Sequence, residues 1–219
     1  MMPRVIVHIE TSLDGCIEGF RLDEVMYYEL AAHFKADMVL VGADTLLDAA
    51  GDAGPEEPDD YFKPTGKPEW APYWVVPDSR GRVKNLHLFR RFNFCRDVIV
   101  LVSETTPKEH LEYLSERDYD YIIAGKDHVD YIDTFAILNE RYETRTIRVD
   151  SGGTLAACLI KDKLVTDISI LLAPAVAGRP DRTAFRSLQL DKVGPLDLEL
   201  MHVEKMPRGF VWLHYKVED

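Results

Sequence analysis

The chain has little cysteine and shows no sequence pattern typical of a disulfide framework or a metal site. Only three of its 219 residues are cysteines, and Cys16, Cys95 and Cys158 are far apart, with no Cys-x-x-Cys pair. An odd number of widely spaced cysteines favours free thiols in a reducing compartment. The seven histidines form no His-x-His or His-x-x-x-His pattern, so we expect no bound metal.

Positive charge and long apolar runs are also scarce. The chain has 26 Lys and Arg residues against 38 Asp and Glu residues, which gives a formal net charge of −12. This charge disfavours nucleic acid and anionic membranes as partners. The apolar run at residues 1–9 soon meets Glu10 and Asp14, and it is too short for a signal peptide or a membrane span. We therefore expect a cytoplasmic protein that binds a small molecule.

Strand and helix patterns alternate through most of the chain. Runs of β-branched and apolar residues predict strands, and apolar residues at helical spacing predict helices. The predicted strands cover residues 4–10, 37–41, 73–76, 98–102, 119–124, 146–150 and 168–173. The predicted helices cover residues 22–34, 107–114, 129–142 and 152–160. Residues 48–72 are rich in Gly, Pro, Asp and Glu and predict a long loop, whose acidic part at 51–60 we expect to be a solvated lid or a disordered excursion.

The end of the chain carries two further alternating runs, at residues 197–203 and 210–217, with Pro207, Arg208 and Gly209 between them. They predict a closing antiparallel pair of strands. Together with the alternation before it, this order predicts an α/β fold with a mostly parallel central sheet, helices on both faces and a C-terminal antiparallel hairpin. No linker divides the chain, so we expect a single domain over residues 1–219.

A glycine turn after the sixth predicted strand is a candidate phosphate-binding site. The sequence Asp150-Ser151-Gly152-Gly153-Thr154-Leu155 joins a strand to a helix. The first N–H groups of a helix have no helical partner and favour an anion, and glycine allows close approach to the backbone. Gly42-Ala43-Asp44-Thr45 repeats this layout after the second strand, and ligands of open α/β sheets bind beyond the strands' carboxyl ends. An ordinary turn would show the same pattern, and the Gly-x-Gly-x-x-Gly fingerprint of a standard Rossmann dehydrogenase is absent.

The order of these turns resembles that of a known enzyme family. The motifs that carry the resemblance are Ser12-Leu13-Asp14-Gly15, Val41-Gly42-Ala43-Asp44-Thr45, Val76-Pro77-Asp78-Ser79, Asp150-Ser151-Gly152-Gly153-Thr154-Leu155, Leu164-Val165-Thr166-Asp167, and Leu172-Ala173-Pro174 with Gly178. Over nearly the whole chain they resemble the pyrimidine reductase domain of riboflavin biosynthesis, within the dihydrofolate-reductase-like fold. That family reduces 5-amino-6-(5-phosphoribosylamino)uracil with NADPH, and its members are commonly homodimers.

The resemblance also implies roles for individual residues. The residues that the resemblance implies for NADPH binding are Thr11, Thr45, Ser79, Gly152, Gly153, Thr154 and Leu155, and the turns themselves add Gly42 and Arg80 as candidates. Thr11 is expected beside the nicotinamide, and Arg80, with Ser79 and Arg82, would hold the 2′-phosphate unless this segment is only a solvated turn. The residues implied to contact substrate are Ser12, Asp48 and Asp150.

The substrate half of the implied site departs from the family. Gly15 is followed by Cys16-Ile17-Glu18-Gly19-Phe20 where the family carries a Gly-x-Ser-x-Trp type of segment, and Asp48 falls one place early. No arginine lies between Arg21 and Arg80, where the family has one that holds the substrate phosphate. A phosphate bound without a guanidinium fork loses its strongest contact.

The reduction also needs a proton, for which Asp14, Asp150 and Glu10 are candidates. A carboxyl group donates a proton near neutral pH only if its pKa is raised, as burial does. Asp14 equally suits an Asp-Gly turn, and Asp150 equally suits a helix N-cap. Asp14 and Asp150 are the predicted catalytic residues, and Glu10 is the third candidate.

Two other functions fit the same residues. A dihydrofolate or pterin reductase would use an acid on the first helix, where Asp23, Glu24 and Glu29 are available. A catalytically silent NADP-binding protein is the other alternative, because the substrate-facing segments are rebuilt.

Overall fold

The computed structural model describes residues 2–51, 54, 56–185, 187–188 and 195–218. They form two compact units. Unit 1 consists essentially of Ala36–Arg145, and unit 2 consists of Arg4–Lys35 and the chain from Thr146 onward. The expectation of a single domain over residues 1–219 stays a prediction.

Strands and helices alternate along the described chain. The strands are β1 (Arg4–Thr11), β2 (Met38–Leu40), β3 (Tyr73–Pro77), β4 (Val98–Val102), β5 (Asp120–Ile123), β6 (Thr146–Val149), β7 (Asp167–Leu172), β8 (Leu198–Lys205) and β9 (Val211–Val217). The helices are α1 (Glu24–Ala32), α2 (Ala43–Ala50), α3 (His87–Arg90), α4 (Lys108–Glu116), α5 (Tyr131–Tyr142) and α6 (Gly153–Lys161). Short 3-10 turns lie at Pro58–Tyr61, Pro180–Arg182 and Pro207–Gly209. No helix in the described part of the chain has the length and apolar character needed to cross a membrane.

The strands of each unit are mostly parallel. In unit 1 they lie in the order β5-β4-β3-β2, and each neighbouring pair is parallel. In unit 2 the order is β6-β1-β7-β9-β8, where β1 pairs in parallel with β6 and β7, and β9 is antiparallel to both β7 and β8. The predicted α/β class with its C-terminal antiparallel hairpin is confirmed.

Helix α2 corrects the prediction of a turn at Gly42-Ala43-Asp44-Thr45 and of a loop from residue 48 to 72. Ala43–Ala50 is helical, so Thr45 and Asp48 lie on a helix. Ala43, Leu46, Leu47 and Ala50 pack into the apolar core of unit 1. These positions have the spacing of one helical face, a signal that the Gly- and Pro-rich residues downstream obscured. Helix α3 was not predicted either.

The acidic segment also differs from its prediction as a solvated lid. Residues 52, 53 and 55 lie outside the described residues, but the side chains of Glu56 and Asp60 are buried. The Glu56 carboxylate accepts a hydrogen bond from Tyr113 Oη at 2.7 Å and pairs with Arg117, while Asp60 pairs with Arg91. Since ion pairing offsets the cost of removing a carboxylate from water, Glu56 and Asp60 are held in the protein, whereas Gly51, Gly54 and residues 57–59 are exposed as predicted.

A buried polar chain crosses the core of unit 2. His8 is fully buried, and its Nδ1 lies 3.0 Å from Ser169 Oγ while its Nε2 lies 3.1 Å from the carbonyl oxygen of Tyr27. Trp212 Nε1 donates to the same Ser169 Oγ at 2.9 Å. Because the Tyr27 carbonyl only accepts, His8 carries its proton on Nε2 and receives the Ser169 hydroxyl hydrogen on Nδ1. The network therefore requires neutral His8.

This requirement predicts a pH-dependent stability. Burial lowers the pKa of His8 from 6.5 to about 4. As the pH falls below 6.5, the unfolded chain takes up a proton at this position before the folded chain does, so stability falls until about pH 4, by up to about 3 kcal/mol. Urea unfolding between pH 4 and pH 7 will show a steeper loss of stability in the wild type than in His8→Gln. His33→Gln, at an exposed histidine, is the control and should keep the wild-type slope; equal slopes for wild type and His8→Gln would contradict the assignment.

Candidate cofactor and substrate site

In unit 2, three neighbouring parallel strands bring Thr11 and Asp150 to the same edge of the sheet. β6, β1 and β7 lie side by side, so their carboxyl ends share an edge. Thr11 is the last residue of β1 and pairs with Leu172 at the end of β7, and Asp150 follows the end of β6. This is the edge at which ligands of parallel sheets bind.

The turn after β1 is held closed by Asp14. Its Oδ1 accepts from Ser12 Oγ at 2.5 Å and from the Ala177 N–H at 3.0 Å, and its Oδ2 accepts from the Gly178 N–H at 2.7 Å. These hydrogen bonds, with that of Ser12 the largest effect, hold the pKa of Asp14 well below its ordinary value. The carboxylate is therefore an acceptor that ties the turn after β1 to the loop after β7, and this state does not suit a proton donor.

Asp150 is held by a residue that sequence analysis missed. Arg148 donates to Asp150 through Nε and Nη2, both at 2.6 Å, in a two-pronged guanidinium–carboxylate pair. Arg148 is buried, and burial opposes its charge, but the paired carboxylate raises the pKa of Arg148 above its ordinary value. The pair keeps both oxygens of Asp150 engaged as acceptors. The spacing of Arg148 and Asp150 in the sequence is consistent with this pair, because residues two apart in a strand point to the same face.

Glu10 has a different environment from Asp14. It is 6% exposed, and both its oxygens lie 3.0 Å from the backbone N–H of Asp23, the N-cap of α1. Burial raises the pKa of Glu10, the hydrogen bond from the Asp23 N–H opposes this effect, and the charges of Asp23 and Glu24 add to it. This is the direction that a proton donor needs.

The glycine turn opens α6 as predicted, but part of it is already occupied by the chain. Gly152 is the N-cap, and Gly153 has φ +62°, a conformation that favours glycine. A Cβ at Gly152 would lie 3.3 Å from the Ala184 carbonyl oxygen and 3.4 Å from Ile17 Cδ1. The Gly153 N–H donates to that Ala184 oxygen at 2.6 Å, and Thr154 Oγ1 lies 3.3 Å from Ser187 Oγ. The Gly153 N–H, which was expected to be open for a phosphate, therefore already has a partner within the chain. Of the next two residues, Thr154 is exposed and Leu155 is buried.

The remaining predicted residues lie in unit 1. Gly42 is the N-cap of α2, and Thr45 and Asp48 are exposed on that helix. After β3, Ser79 Oγ accepts from the Val129 N–H at 3.1 Å, and the Ser79 carbonyl accepts from Thr106 Oγ1 at 3.0 Å. Arg80 is exposed, and Arg82 pairs with Asp44 at 2.8 Å. These contacts hold the backbone of the turn after β3, which also carries the cationic side chains of Arg80 and Arg82.

The structure therefore groups the predicted residues by unit. Within unit 2, the turn after β1, the loop after β7 and the Gly152-Gly153 turn meet, since Ile17 N donates to the Arg182 carbonyl at 2.8 Å and Ala184 N donates to the Gly15 carbonyl at 3.0 Å. Within unit 1, Gly42, Thr45 and Asp48 share the α2 segment, and Ser79 and Arg80 share the turn after β3. The backbone contacts of Ala184 carry no local sequence pattern and were not foreseen.

Comparison with known proteins shows the family of the chain. The family model of the RibD C-terminal domain matches residues 3–212. The chain belongs to this family. It is similar to the 2,5-diamino-6-ribosylamino-4(3H)-pyrimidinone 5′-phosphate reductases of Archaeoglobus fulgidus, at 29% identity over 83% of this chain and 84% of the relative, and of Aquifex aeolicus, at 25% over 80% and 79%.

Solved structures share the fold of the family. A pyrimidine reductase-like protein from Corynebacterium diphtheriae superposes with a TM-score of 0.75 at 16% identity, covering 99% of this chain and 92% of that one. The riboflavin biosynthesis reductase Rib7 of Saccharomyces cerevisiae gives a TM-score of 0.66 at 19% identity, covering 99% and 90%. The expected family and the expected oxidoreductase class are confirmed.

Proposed function

We propose that the chain is a cytoplasmic, NADPH-dependent reductase that acts on a ribosylaminopyrimidine 5′-phosphate. The observation that carries the proposal is the family match over residues 3–212, together with relatives named for reduction of the 2,5-diamino-6-ribosylamino-4(3H)-pyrimidinone 5′-phosphate. That compound is the first substrate to test, and 5-amino-6-(5-phosphoribosylamino)uracil is the second. The free thiols of Cys16, Cys95 and Cys158 support the cytoplasmic location.

The described residues suit an anionic dinucleotide despite the net negative charge of the chain. In unit 1, the side chains of Thr45, Arg80 and Arg82 are exposed; in unit 2, Thr154 is exposed at the start of α6 and Gly152 is half-buried there. Bound NADPH would supply the hydride that reduces the ribosyl carbon. The residues that we propose to contact NADPH are Thr11, Gly42, Thr45, Ser79, Arg80, Gly152, Gly153, Thr154 and Leu155.

The carboxyl groups of unit 2 divide into acceptors and a candidate proton donor. Asp14 accepts three hydrogen bonds and Asp150 is paired with Arg148, so we propose that they orient the turn after β1 and the substrate rather than release a proton. Ser12 and Asp48 remain proposed substrate contacts. Burial raises the pKa of Glu10, which is the direction that a proton donor needs, so we propose Glu10 as the donor.

Substrate turnover tests the proposal directly. The purified chain should oxidise NADPH, measured at 340 nm, with the diaminopyrimidinone or the aminouracil phosphate and not with dihydrofolate. Glu10→Gln should lower kcat by about tenfold or more while binding of NADPH is kept, since general acid catalysis contributes about 10²–10⁴-fold. Turnover of dihydrofolate alone would favour the pterin reductase, and NADPH binding without any turnover would favour the silent binding protein.

The assignment of the 2′-phosphate to the turn after β3 has its own test. Replacing Arg80 and Arg82 together by alanine should raise the Kd of NADPH by about tenfold, the equivalent of about 1.4 kcal/mol, and change the Kd of NADH much less. Arg141→Ala with Arg145→Ala, at two exposed arginines of unit 1, is the control for net charge. An equal effect of the double variant on NADPH and NADH would contradict the assignment.

We also propose that the chain forms a homodimer through β8. This strand is exposed along its whole length and includes the exposed apolar side chains of Leu198, Leu200, Met201 and Val203. A long apolar strand at a sheet edge is prone to pair with another chain. Light scattering after size exclusion should give twice the 25.0 kDa mass for the wild type and the monomer mass for Leu200→Lys/Val203→Lys. A wild-type monomer would contradict the proposal.

A further inference from the structure

Asp78 and His110 are two buried residues of unit 1 that have no role in the proposed function. Asp78 directly follows β3 and His110 lies on α4, and each is 2% exposed. His110 Nε2 is 3.6 Å from Asp78 Oδ2, which is too long for a hydrogen bond. Both ring nitrogens of His110 and the Oδ1 of Asp78 have no hydrogen-bond partner among the described residues. A buried polar group without a partner is costly, so this pair stands out from the satisfied network around His8.

Asp78 and His110 both contact the turn that follows β3. Asp78 Oδ2 accepts the Val83 N–H at 2.7 Å, and the Asp78 carbonyl accepts the Gly81 N–H at 3.2 Å. Gly81 has φ +65°, and a Cβ there would lie 2.8 Å from both Cβ and Cγ of His110. The imidazole is therefore packed directly under the turn that carries Ser79 and Arg80.

The charges around His110 set the pH at which it ionises. The titratable and charged groups that face it are Asp78 from the turn, Lys84 after the turn and Tyr113 from its own helix, stacked with ring centroids 5.8 Å apart. Burial lowers the pKa of His110, the Asp78 carboxylate opposes that effect, and Lys84 adds to it. His110 is therefore neutral at pH 7 and gains its proton below its ordinary range, where it becomes a cation facing a carboxylate with a spare acceptor oxygen.

We propose that His110 is a positioning residue for the cofactor. Its protonation draws the imidazole onto Asp78 and thereby fixes the turn from Asp78 to Val83. The fixed turn binds a 2′-phosphorylated dinucleotide more strongly at Ser79 and Arg80. This rests on the proposed function, because it takes the turn after β3 as the 2′-phosphate site. A cation added beneath the turn and an anion bound on its outer side favour each other, so proton uptake and phosphate binding are linked.

The test measures the Kd of NADP⁺, which withstands acid better than NADPH, by calorimetry between pH 5.5 and pH 7.5. The ratio of the Kd of His110→Gln to the Kd of the wild type should be about fivefold or more larger at pH 5.5 than at pH 7.5. His33→Gln is the matched control and should keep the wild-type profile. Titration of the 2′-phosphate itself contributes equally to every variant, so the difference between the profiles reports His110.

A second variant tests the proposed role of His110 if His110→Gln folds poorly. Lys84 is exposed, with its Nζ 3.9 Å from the centroid of the Tyr113 ring, and Lys84→Gln removes the positive charge that lowers the pKa of His110. The midpoint of the pH profile should then move to higher pH. Unchanged profiles in Lys84→Gln and in folded His110→Gln would overturn the inference. A wild type that binds neither NADP⁺ nor NADPH would instead overturn the proposed function.

Discussion

The close approach of backbone segments at Gly152 is the constraint on which the candidate site of unit 2 depends. The start of α6, the Ala184 carbonyl and Ile17 come so near that a Cβ at Gly152 would make contacts of 3.3 and 3.4 Å. The same approach joins the loop after β7 to the turn after β1, and Asp14 secures that junction through the N–H groups of Ala177 and Gly178. A side chain at this point would require the Ala184 segment to shift by a few tenths of an ångström.

Paired charges explain how an acidic chain keeps so many carboxylates inside its units. Asp150 is paired with Arg148, Asp97 with Arg90, and Glu56 with Arg117. A buried carboxylate is tolerated when a guanidinium and further hydrogen bonds replace its water. Glu10 is paired with no such cation among the described residues and has a raised pKa, so the environment rather than the residue type separates the candidate donor from the acceptors.

Much of the fold was predictable, because apolar periodicity is a local property of the chain. The strand predicted at 98–102 coincides with β4, and the predicted helix at 152–160 lies within one residue of α6. Helix α2 was missed although Ala43, Leu46, Leu47 and Ala50 have helical spacing, because the Gly- and Pro-rich stretch beyond it favoured a loop. Glu56 and Asp60 were assigned to a solvated segment because their partners, Arg117 and Arg91, lie far along the chain.

The sequence by itself determined the α/β class, the resemblance to the riboflavin-pathway reductases and the position of the Gly152-Gly153 turn, since each depends on residues close together in the chain. Only the tertiary structure decided the state of the side chains around that turn: Asp14 as a fixed acceptor, Asp150 paired with Arg148, Gly153 bonded to Ala184, and His110 beneath the turn after β3. The physical reason is that burial and pairing, which set a group's protonation and its availability to a ligand, depend on segments that meet only in the folded chain.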